Sequence, residues 1–563
     1  MLDYTGTIET GGMHGTMHST DDVTTGRSRN ETHLGVLDQA SGFDGGASWD
    51  LSPGGEAQRF DGPDAVARAK TAAWVTARGY LRTGGATYRE LGDINEGGRH
   101  LRGLEATPAG GTPIELWFDD DGLLARTRAK VRVFTVTDEY SDYRDVSGVK
   151  VPFRISSDDG DERNRVTIAV TEMHAREAQP DATYAMPPTD DRIAFPDGAD
   201  HVELPFALIE NHIYVDATVD GKPVKMLFDT GGQNLLVPKS AARLGLKSEG
   251  ANAAGGAGDE RIDVGYAKGK SVALAGVTLR DPVFAVIDLR SLPDVEGVDL
   301  DGLVGYELFH RLVVRVDYPK RRITLWSPKA FTPPEGAIAV PFEMSDTIPI
   351  VKGSIDGIPG RFWIDTGSRA SLTTMSVFTK AHDLEGKYKP AFEAVTGWGV
   401  GGPAKGKPVR FHTITIGDAT VKEVVGDLFT GTKSAMADPD SAANLGGGIL
   451  KRFAVTFDYG HQTMYLEPGP DAAKPDVYDH AGLFVLRADG GRALKVGAVT
   501  PTGPAEHAGV REGDVITTID NDAITSKSVS EWRQYFRDRA PGTKVVLGIV
   551  RDGKPAKPFA ITL

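Results

Sequence analysis

The chain has 563 residues, which predicts about four domains at about 150 residues per domain. Its composition, with 40% hydrophobic and 25% charged residues, excludes a mainly disordered or fibrous protein. The net charge is −15 and no basic block interrupts the chain, so binding to nucleic acid is disfavoured. The 68 glycines are about 12% of the residues against a usual ~7%, which favours turns and sheets over long helices.

The sequence also excludes several functional classes. No apolar run approaches the roughly 18 residues of a membrane-spanning helix, and the best stretch, 312–316, contains Arg315. The chain has no cysteine, so it has no disulfides, thiolate nucleophile or cysteine-ligated zinc. No metal or nucleotide motif occurs in its required context, and we expect neither metal nor cofactor. The opening residues do not predict a signal peptide.

Residues 1–190 predict a β-rich domain. Apolar side chains alternate over 114–118 before a polar turn at 119–122, as in a half-buried strand. One stretch, 64–80, has apolar residues at helical spacing.

From about residue 200 the sequence repeats itself. The tripeptide Asp-Thr-Gly occurs at 229–231 and again at 365–367, an offset of 136 residues. A Pro-Phe pair and an Asp-Gly turn upstream of each tripeptide keep the same offset, which indicates a duplication. We therefore predict two repeats, at 200–330 and 336–468, joined by a proline-rich linker.

The repeated tripeptide is the best candidate for catalysis. Each aspartate follows an apolar strand and enters a tight turn, in which glycine allows close backbone approach. A single such aspartate is more often a turn former. If the repeats pack about a pseudo-twofold axis, however, Asp229 and Asp365 meet in one cleft. Two carboxylates about 3 Å apart do not both ionise easily, so the pair is expected to share one proton.

These residues resemble the pepsin and retropepsin superfamily of aspartic proteases over about 200–468. The resemblance implies a pseudo-dimer of double-ψ β halves that hydrolyses peptide bonds with a water activated between two aspartates. Ser368 follows the second tripeptide where the first repeat has Gly232, so we expect the second carboxylate to gain a hydroxyl partner. The implied residues are the catalytic Asp229 and Asp365, the supporting Thr230, Gly231, Thr366, Gly367 and Ser368, and the flap residues Gly255, Gly256, Gly397, Trp398 and Gly399. Trp398 has two open interpretations, a substrate contact or a ring folded onto its own hairpin.

Residues 478–563 resemble a bacterial PDZ domain, on the motifs Gly503-Pro504-Ala505, Ala508-Gly509 and 513–516. The resemblance implies a small α/β barrel with a peptide groove. Its edge strand would bind the peptide, opposite a helix from about 528 to 537. The implied groove residues are Gly482, Leu483, Phe484, Val485 and Val529, while Trp532 and Phe536 on the same helix are better explained as core.

The N-terminal region resembles the curved sheet of periplasmic lipoprotein-carrier proteins, on elements such as 42–45 and 117–119. That resemblance implies an open half-barrel for acyl chains or extended peptide, or a domain that only orients the protease. It also points to the periplasm or cell envelope.

Together these observations predict a mainly β aspartic endopeptidase that captures polypeptides with its PDZ domain. The alternatives are a catalytically silent peptide-binding scaffold and a lipid or lipoprotein carrier. Polypeptides are the expected partners, and the oligomeric state stays open because the two halves could pair within one chain or between chains.

Overall fold

The computed structural model describes residues 1–289 and 292–563 and is mainly β, as predicted. Within those residues no helix combines the length and the apolar character needed to cross a bilayer.

The N-terminal region is one curved antiparallel sheet of 13 strands. Neighbours in the sheet are neighbours in sequence, except that the first strand also pairs with the last. Helix α1 begins at Pro63, whose fixed φ suits a first helical turn, and packs Ala69 and Ala73 against Phe43. The elements are β1 Leu2–Thr10, β2 Met13–Asp21, β3 Ser28–Leu34, β4 Leu37–Phe43, β5 Ser48–Leu51, β6 Ala57–Phe60, α1 Pro63–Thr76, β7 Ala86–Glu96, β8 Arg99–Pro108, β9 Ile114–Phe118, β10 Leu124–Val131, β11 Phe134–Val146, β12 Val149–Asp158 and β13 Val166–Ala175.

The first repeat places its aspartate at the end of a hairpin. The turn residues Asp220 and Gly221 both have positive φ, the geometry of a two-residue hairpin turn that favours Asp-Gly. The elements are β14 Ile193–Ala194, β15 His201–Pro205, β16 Ala207–Ile209, β17 His212–Val219, β18 Lys222–Phe228, β19 Leu235–Leu236, α2 Pro238–Leu244, β20 Glu249–Ala254, β21 Ile262–Lys268, β22 Ser271–Leu274, β23 Val277–Arg280, β24 Val283–Ile287, α3 Leu292–Glu296, β25 Gly302–Val304, α4 Tyr306–Arg311, β26 Val313–Asp317 and β27 Arg322–Trp326.

The second repeat uses the same device, since Asp356 and Gly357 also have positive φ and join β29 to β30. Its elements are β28 Ile338–Ser345, β29 Ile348–Ile355, β30 Ile358–Asp365, β31 Leu372–Thr374, α5 Ser376–Ala381, α6 Leu384–Tyr388, β32 Ala394–Gly399, β33 Gly402–Ile416, β34 Ala419–Phe429, β35 Ala443–Gly446, α7 Gly447–Leu450, β36 Phe453–Asp458 and β37 Thr463–Pro468.

The two repeats share one core. Strand β26 of the first repeat pairs antiparallel with β36 of the second, with Val316 opposite Val455. Phe309 packs edge-on against Phe457 at 5.4 Å between ring centroids, inside a buried cluster that contains residues of both repeats. This shared core fixes the relative position of the two Asp-Thr-Gly turns.

The C-terminal region forms a seven-stranded sheet in which β38 is an edge strand. Ser528 caps helix α9 in a capping box with Glu531. Trp532 and Phe536 are buried in the core of this region. The elements are β38 Leu483–Ala488, β39 Ala493–Val499, α8 Pro504–His507, β40 Val515–Ile519, β41 Asp522–Ala523, α9 Val529–Asp538, β42 Lys544–Arg551, β43 Lys554–Pro555 and β44 Phe559–Thr562.

Candidate active site

The two aspartates come together at the centre of the repeats. Asp229 follows β18, which runs parallel to β25, and Asp365 ends β30, which runs parallel to β35. The backbone N–H of Gly231 donates to Asp229 Oδ1 at 2.6 Å, and that of Gly367 donates to Asp365 Oδ1 at 2.9 Å. Each turn therefore holds its own carboxyl group with a backbone donor.

Glycine is required in both turns because each turn touches the opposite carboxyl group. A Cβ atom on Gly231 would lie 2.8 Å from Asp365 Oδ1, and one on Gly367 would lie 2.3 Å from Asp229 Cγ. These separations are shorter than van der Waals contact, so any side chain would push the turns apart. The pair of Asp-Thr-Gly turns thus packs backbone against carboxyl in both directions.

The threonines lock the turns to each other. The Thr230 N–H donates to Thr366 Oγ1 at 2.9 Å, and the Thr366 N–H donates to Thr230 Oγ1 at 3.0 Å. Each hydroxyl then donates across to the other repeat, Thr230 to the Ile364 carbonyl and Thr366 to the Phe228 carbonyl. Both threonines are fully buried. These four reciprocal bonds link the strands that carry the two aspartates.

The electrostatics of the pair are asymmetric. Burial, followed by the charge of the neighbouring Asp365, raises the pKa of Asp229 well above its usual range. Asp365 Oδ2 accepts a hydrogen bond from the Asn444 side-chain amide at 2.9 Å. Position 303 of the first repeat corresponds to position 444 and holds a leucine. A Cβ atom on Gly232 would lie 3.1 Å from Asp229 Oδ2 and 3.2 Å from Leu303 Cδ2, so both side chains border the same glycine. One carboxyl thus has a polar donor where the other has an apolar neighbour.

The side-chain donor to Asp365 is not the Ser368 hydroxyl that the sequence predicted. In the described part of the chain no hydrogen bond joins Ser368 Oγ to Asp365, and the Asn444 amide supplies the side-chain donor. Ser368 instead uses its backbone, with its N–H donating to the Asp365 carbonyl and its carbonyl accepting from Gly447. Sequence reasoning missed Asn444, although aligning the repeats would have shown an asparagine opposite Leu303.

The glycine-rich segments meet at their tips. Gly255 and Gly256 lie in the loop between β20 and β21, while Gly397, Trp398 and Gly399 end β32 in the hairpin with β33. The Gly258 N–H donates to the Val400 carbonyl at 3.0 Å, so the tips touch. Half-buried Trp398 lines a cavity of about 160 Å³ beside this contact, together with Ile262, Leu289 and Val400.

The connection between β12 and β13 of the N-terminal region holds the first of these segments. The Asn164 side chain donates to the Ala253 carbonyl at 3.0 Å and accepts from the Ala253 N–H at 2.7 Å. Arg261, on the other side of the same loop, forms a bidentate ion pair with Asp159 at 2.9 and 2.5 Å. The first segment is therefore anchored on both sides by residues from the connection between β12 and β13 of the N-terminal region.

The buried carboxyl group of Asp427 lies at the base of the second segment. Burial raises the pKa of Asp427 to about 7, and Thr373 Oγ1 donates to its Oδ1 at 3.1 Å. Within the described residues no group of three histidine, aspartate or glutamate side chains is arranged to hold a metal ion.

The predicted groove residues lie where β38 faces α9. Leu483, Val485 and Val529 are buried, Phe484 is half-buried, and the Gly482 N–H donates to the Asp479 carboxylate. Nothing in the sequence pattern pointed to Asp479.

Comparison with known proteins gives three kinds of similarity. Residues 215–308 and 351–446 match the aspartyl protease family, and residues 495–551 match the PDZ domain family. A stretch of 64 residues is 39% identical to the periplasmic pH-dependent serine endoprotease DegQ of Escherichia coli, covering 11% of this chain and 14% of DegQ.

Solved structures are similar at a lower level. A DUF1329 family protein from Desulfovibrio piger is 14% identical with a TM-score of 0.23, covering 33% of this chain and 88% of that protein. A LolA superfamily protein from Nitrosomonas europaea is 15% identical with a TM-score of 0.23, covering 33% and 89%. TM-scores this low do not establish a common fold. The family matches show two repeats similar to the aspartyl protease family, at 215–308 and 351–446, followed by a match to the PDZ domain family at 495–551.

Proposed function

We propose that the chain is an aspartic endopeptidase in which Asp229 and Asp365 activate a water molecule for attack on a peptide carbonyl. The observation that supports this is the pair itself, two carboxyl groups in direct contact, with the pKa of Asp229 raised by burial and by its partner. A scaffold protein gains nothing from two like charges in one buried place, whereas acid–base catalysis needs a pair that holds one proton.

The asymmetry of the pair suggests a division of roles. The Asn444 amide stabilises negative charge on Asp365, and the apolar neighbour of Asp229 favours its protonated form. Asp365 would then accept the proton of the attacking water, while the Asp229 hydroxyl donates a hydrogen bond to the substrate carbonyl oxygen. The proton belongs to the coupled pair, so these roles describe the favoured resting arrangement.

The flaps and the PDZ domain supply the remaining parts of the proposal. The glycine-rich segments 255–258 and 397–402 would open to admit an extended polypeptide and close to exclude water. The PDZ domain would raise the local concentration of substrate by binding another part of the same polypeptide.

We also propose domain limits of 1–190, 200–330, 336–468 and 478–563. Similarity to a periplasmic protease supports a location in the periplasm or cell envelope, which fractionation of cells would test.

The test is cleavage of an unfolded, unstructured protein between pH 3 and 8. The parent chain should cleave it, and Asp229→Asn and Asp365→Asn should each abolish cleavage because either substitution removes the shared proton site. Asp216→Asn is the matched control, since Asp216 is an exposed aspartate of the first repeat. Cleavage that survives in either dyad variant would refute the proposal, and a parent chain that binds but never cleaves would favour the silent scaffold.

A further inference from the structure

The carboxylate-binding end of the PDZ groove is already occupied by the chain itself. PDZ domains capture a terminal carboxylate with backbone N–H groups and pair the ligand with an edge strand. Here Asp479 Oδ2 accepts from the Gly482 N–H at 2.6 Å and from the Leu483 N–H at 3.1 Å. A side-chain carboxylate thus takes two of the donors that a bound C terminus would need.

A segment of the first protease repeat fills the side of the groove. Val295 in α3 is fully buried, and Gly297 approaches helix α9 so closely that a Cβ atom there would lie 2.9 Å from Val529 Cβ. Arg487 on the edge strand forms ion pairs with Asp294 and Asp299, at 3.1 and 2.6 Å. We call residues 292–299 the docking segment.

The edge strand is also occupied on its carbonyl side. Buried Arg533 in α9 donates to the Val485 carbonyl at 2.6 Å and to the Val295 carbonyl at 2.6 Å. The Val485 carbonyl lies on an edge strand, so it would otherwise be free to accept from a peptide laid along that strand. Arg533 therefore links the edge strand to the docking segment rather than to a ligand.

The docking segment is connected to the loop of the catalytic pair. Glu296 accepts from His212 at 3.0 Å and lies 3.4 Å from the Arg369 guanidinium. Arg369 stands four residues after Asp365, and its guanidinium lies over the Phe484 ring of the PDZ edge strand at 5.0 Å. Residues of the groove, the docking segment and the catalytic loop thus form one contiguous set of contacts.

We propose that the PDZ groove is an internally ligated site, and that a polypeptide ending in a free carboxylate binds there by displacing Asp479 and the docking segment. The proposal deepens the capture role proposed above and rests on it for the class of ligand. The apparent affinity for such a polypeptide equals the intrinsic affinity multiplied by the fraction of molecules in which the groove is open. Substrate binding at the PDZ domain would then reach the catalytic loop through Glu296 and Arg369.

The test measures peptide binding in a background that does not depend on catalysis. Fluorescence anisotropy would follow a labelled hexapeptide ending in Leu-Val with a free carboxylate, and the same peptide amidated, in the full chain carrying Asp229→Asn. Adding Asp479→Ala, Asp294→Asn and Asp299→Asn should strengthen binding of the free-carboxylate peptide by about 10-fold, since it opens the groove. The last two residues are exposed, at 57% and 86%, so their replacement spares the fold.

The control is Asp552→Asn, an exposed PDZ aspartate in a turn outside the groove, which should leave the affinity unchanged. Equal affinity in the background and groove variants, or equal binding of the amidated peptide by the opened chain, would overturn the proposal. A second measurement needs only the Asp229→Asn chain. Saturating peptide should speed hydrogen exchange at amides 292–299, and unchanged exchange under saturation would equally refute displacement. Since binding is the readout, failure here is distinguishable from failure of the proposed proteolysis.

Discussion

Replacing Thr366 with valine should weaken the contact between the two repeats without creating a cavity. The substitution removes one hydroxyl that accepts from the Thr230 N–H and donates to the Phe228 carbonyl. Both partners lose this hydrogen bond in a buried position, at about 1–3 kcal/mol for each unsatisfied group. The methyl group of valine recovers roughly 0.8 kcal/mol of hydrophobic burial. Two such groups cost about 2–6 kcal/mol, so the net local cost is about 1–5 kcal/mol.

Native-state hydrogen exchange is the suitable assay, because a chain of several domains does not unfold in one two-state step. A local cost of about 1–5 kcal/mol corresponds to about 5- to 5,000-fold faster exchange of the Thr230 amide. Thr420→Val is the matched control, since Thr420 lies exposed on a strand of the second repeat, and its exchange pattern should match that of the parent. Parent-like protection of the Thr230 amide in Thr366→Val would show that the reciprocal hydroxyls do not join the turns.

Three further predictions concern single side chains. Asn444→Leu should lower kcat/KM for protein cleavage by about 10- to 150-fold, because it removes a charge-assisted hydrogen bond worth about 1.5–3 kcal/mol. Leu303→Asn is the reciprocal variant. Unchanged kinetics in Asn444→Leu would refute the asymmetric pair. Asp427→Asn should flatten the fall in thermal stability from pH 5 to pH 8. The pKa of Asp427 is about 7 in the folded chain and about 3.9 in the unfolded chain, so its carboxyl group costs stability as the pH rises from the lower value to the higher one. An equal fall in parent and variant would contradict this. Asp216→Asn is the control. Asn164→Ala should speed hydrogen exchange of the Ala253 amide about 10-fold, because it removes the side-chain oxygen that accepts the hydrogen bond of this amide. Unaltered exchange would mean that Asn164 does not hold the first glycine-rich segment.

The spacing of the two repeats was enough to predict which two aspartates form the candidate site. Local pattern predicted strands that end in Asp-Thr-Gly, and the constant offset of 136 residues predicted that the two turns face each other. The structure places them so, because the shared core of β26 and β36 fixes both repeats in one body. The matched Asp-Gly hairpin turns follow from local backbone preference alone.

Contacts between distant elements could not be predicted in this way. The bond from Asn444 to Asp365 depends on which strand lies beside β30, and a single-position difference between repeats has no meaning until that neighbour is known. The placement of Asp479 in the PDZ groove depends on how the preceding linker folds back. The anchoring of the first glycine-rich segment by Asn164 depends on how the connection between β12 and β13 packs against β20, and the two share no sequence pattern.

The central claim is that the two carboxyl groups form one coupled site, and a thermodynamic cycle tests it directly. Thermal stability would be measured at pH 7.5 for the parent, Asp229→Asn, Asp365→Asn and the double variant. Each single substitution removes one of the two carboxyl groups that must share a proton at pH 7.5, where a free aspartate is ionised, and leaves an amide that can donate to the remaining carboxylate, so each should raise the transition temperature. The double variant should gain less than the sum of the two, because either change alone removes the need to take up the shared proton. Single substitutions that destabilise, or effects that simply add, would show that the carboxyl groups of Asp229 and Asp365 do not form one coupled site.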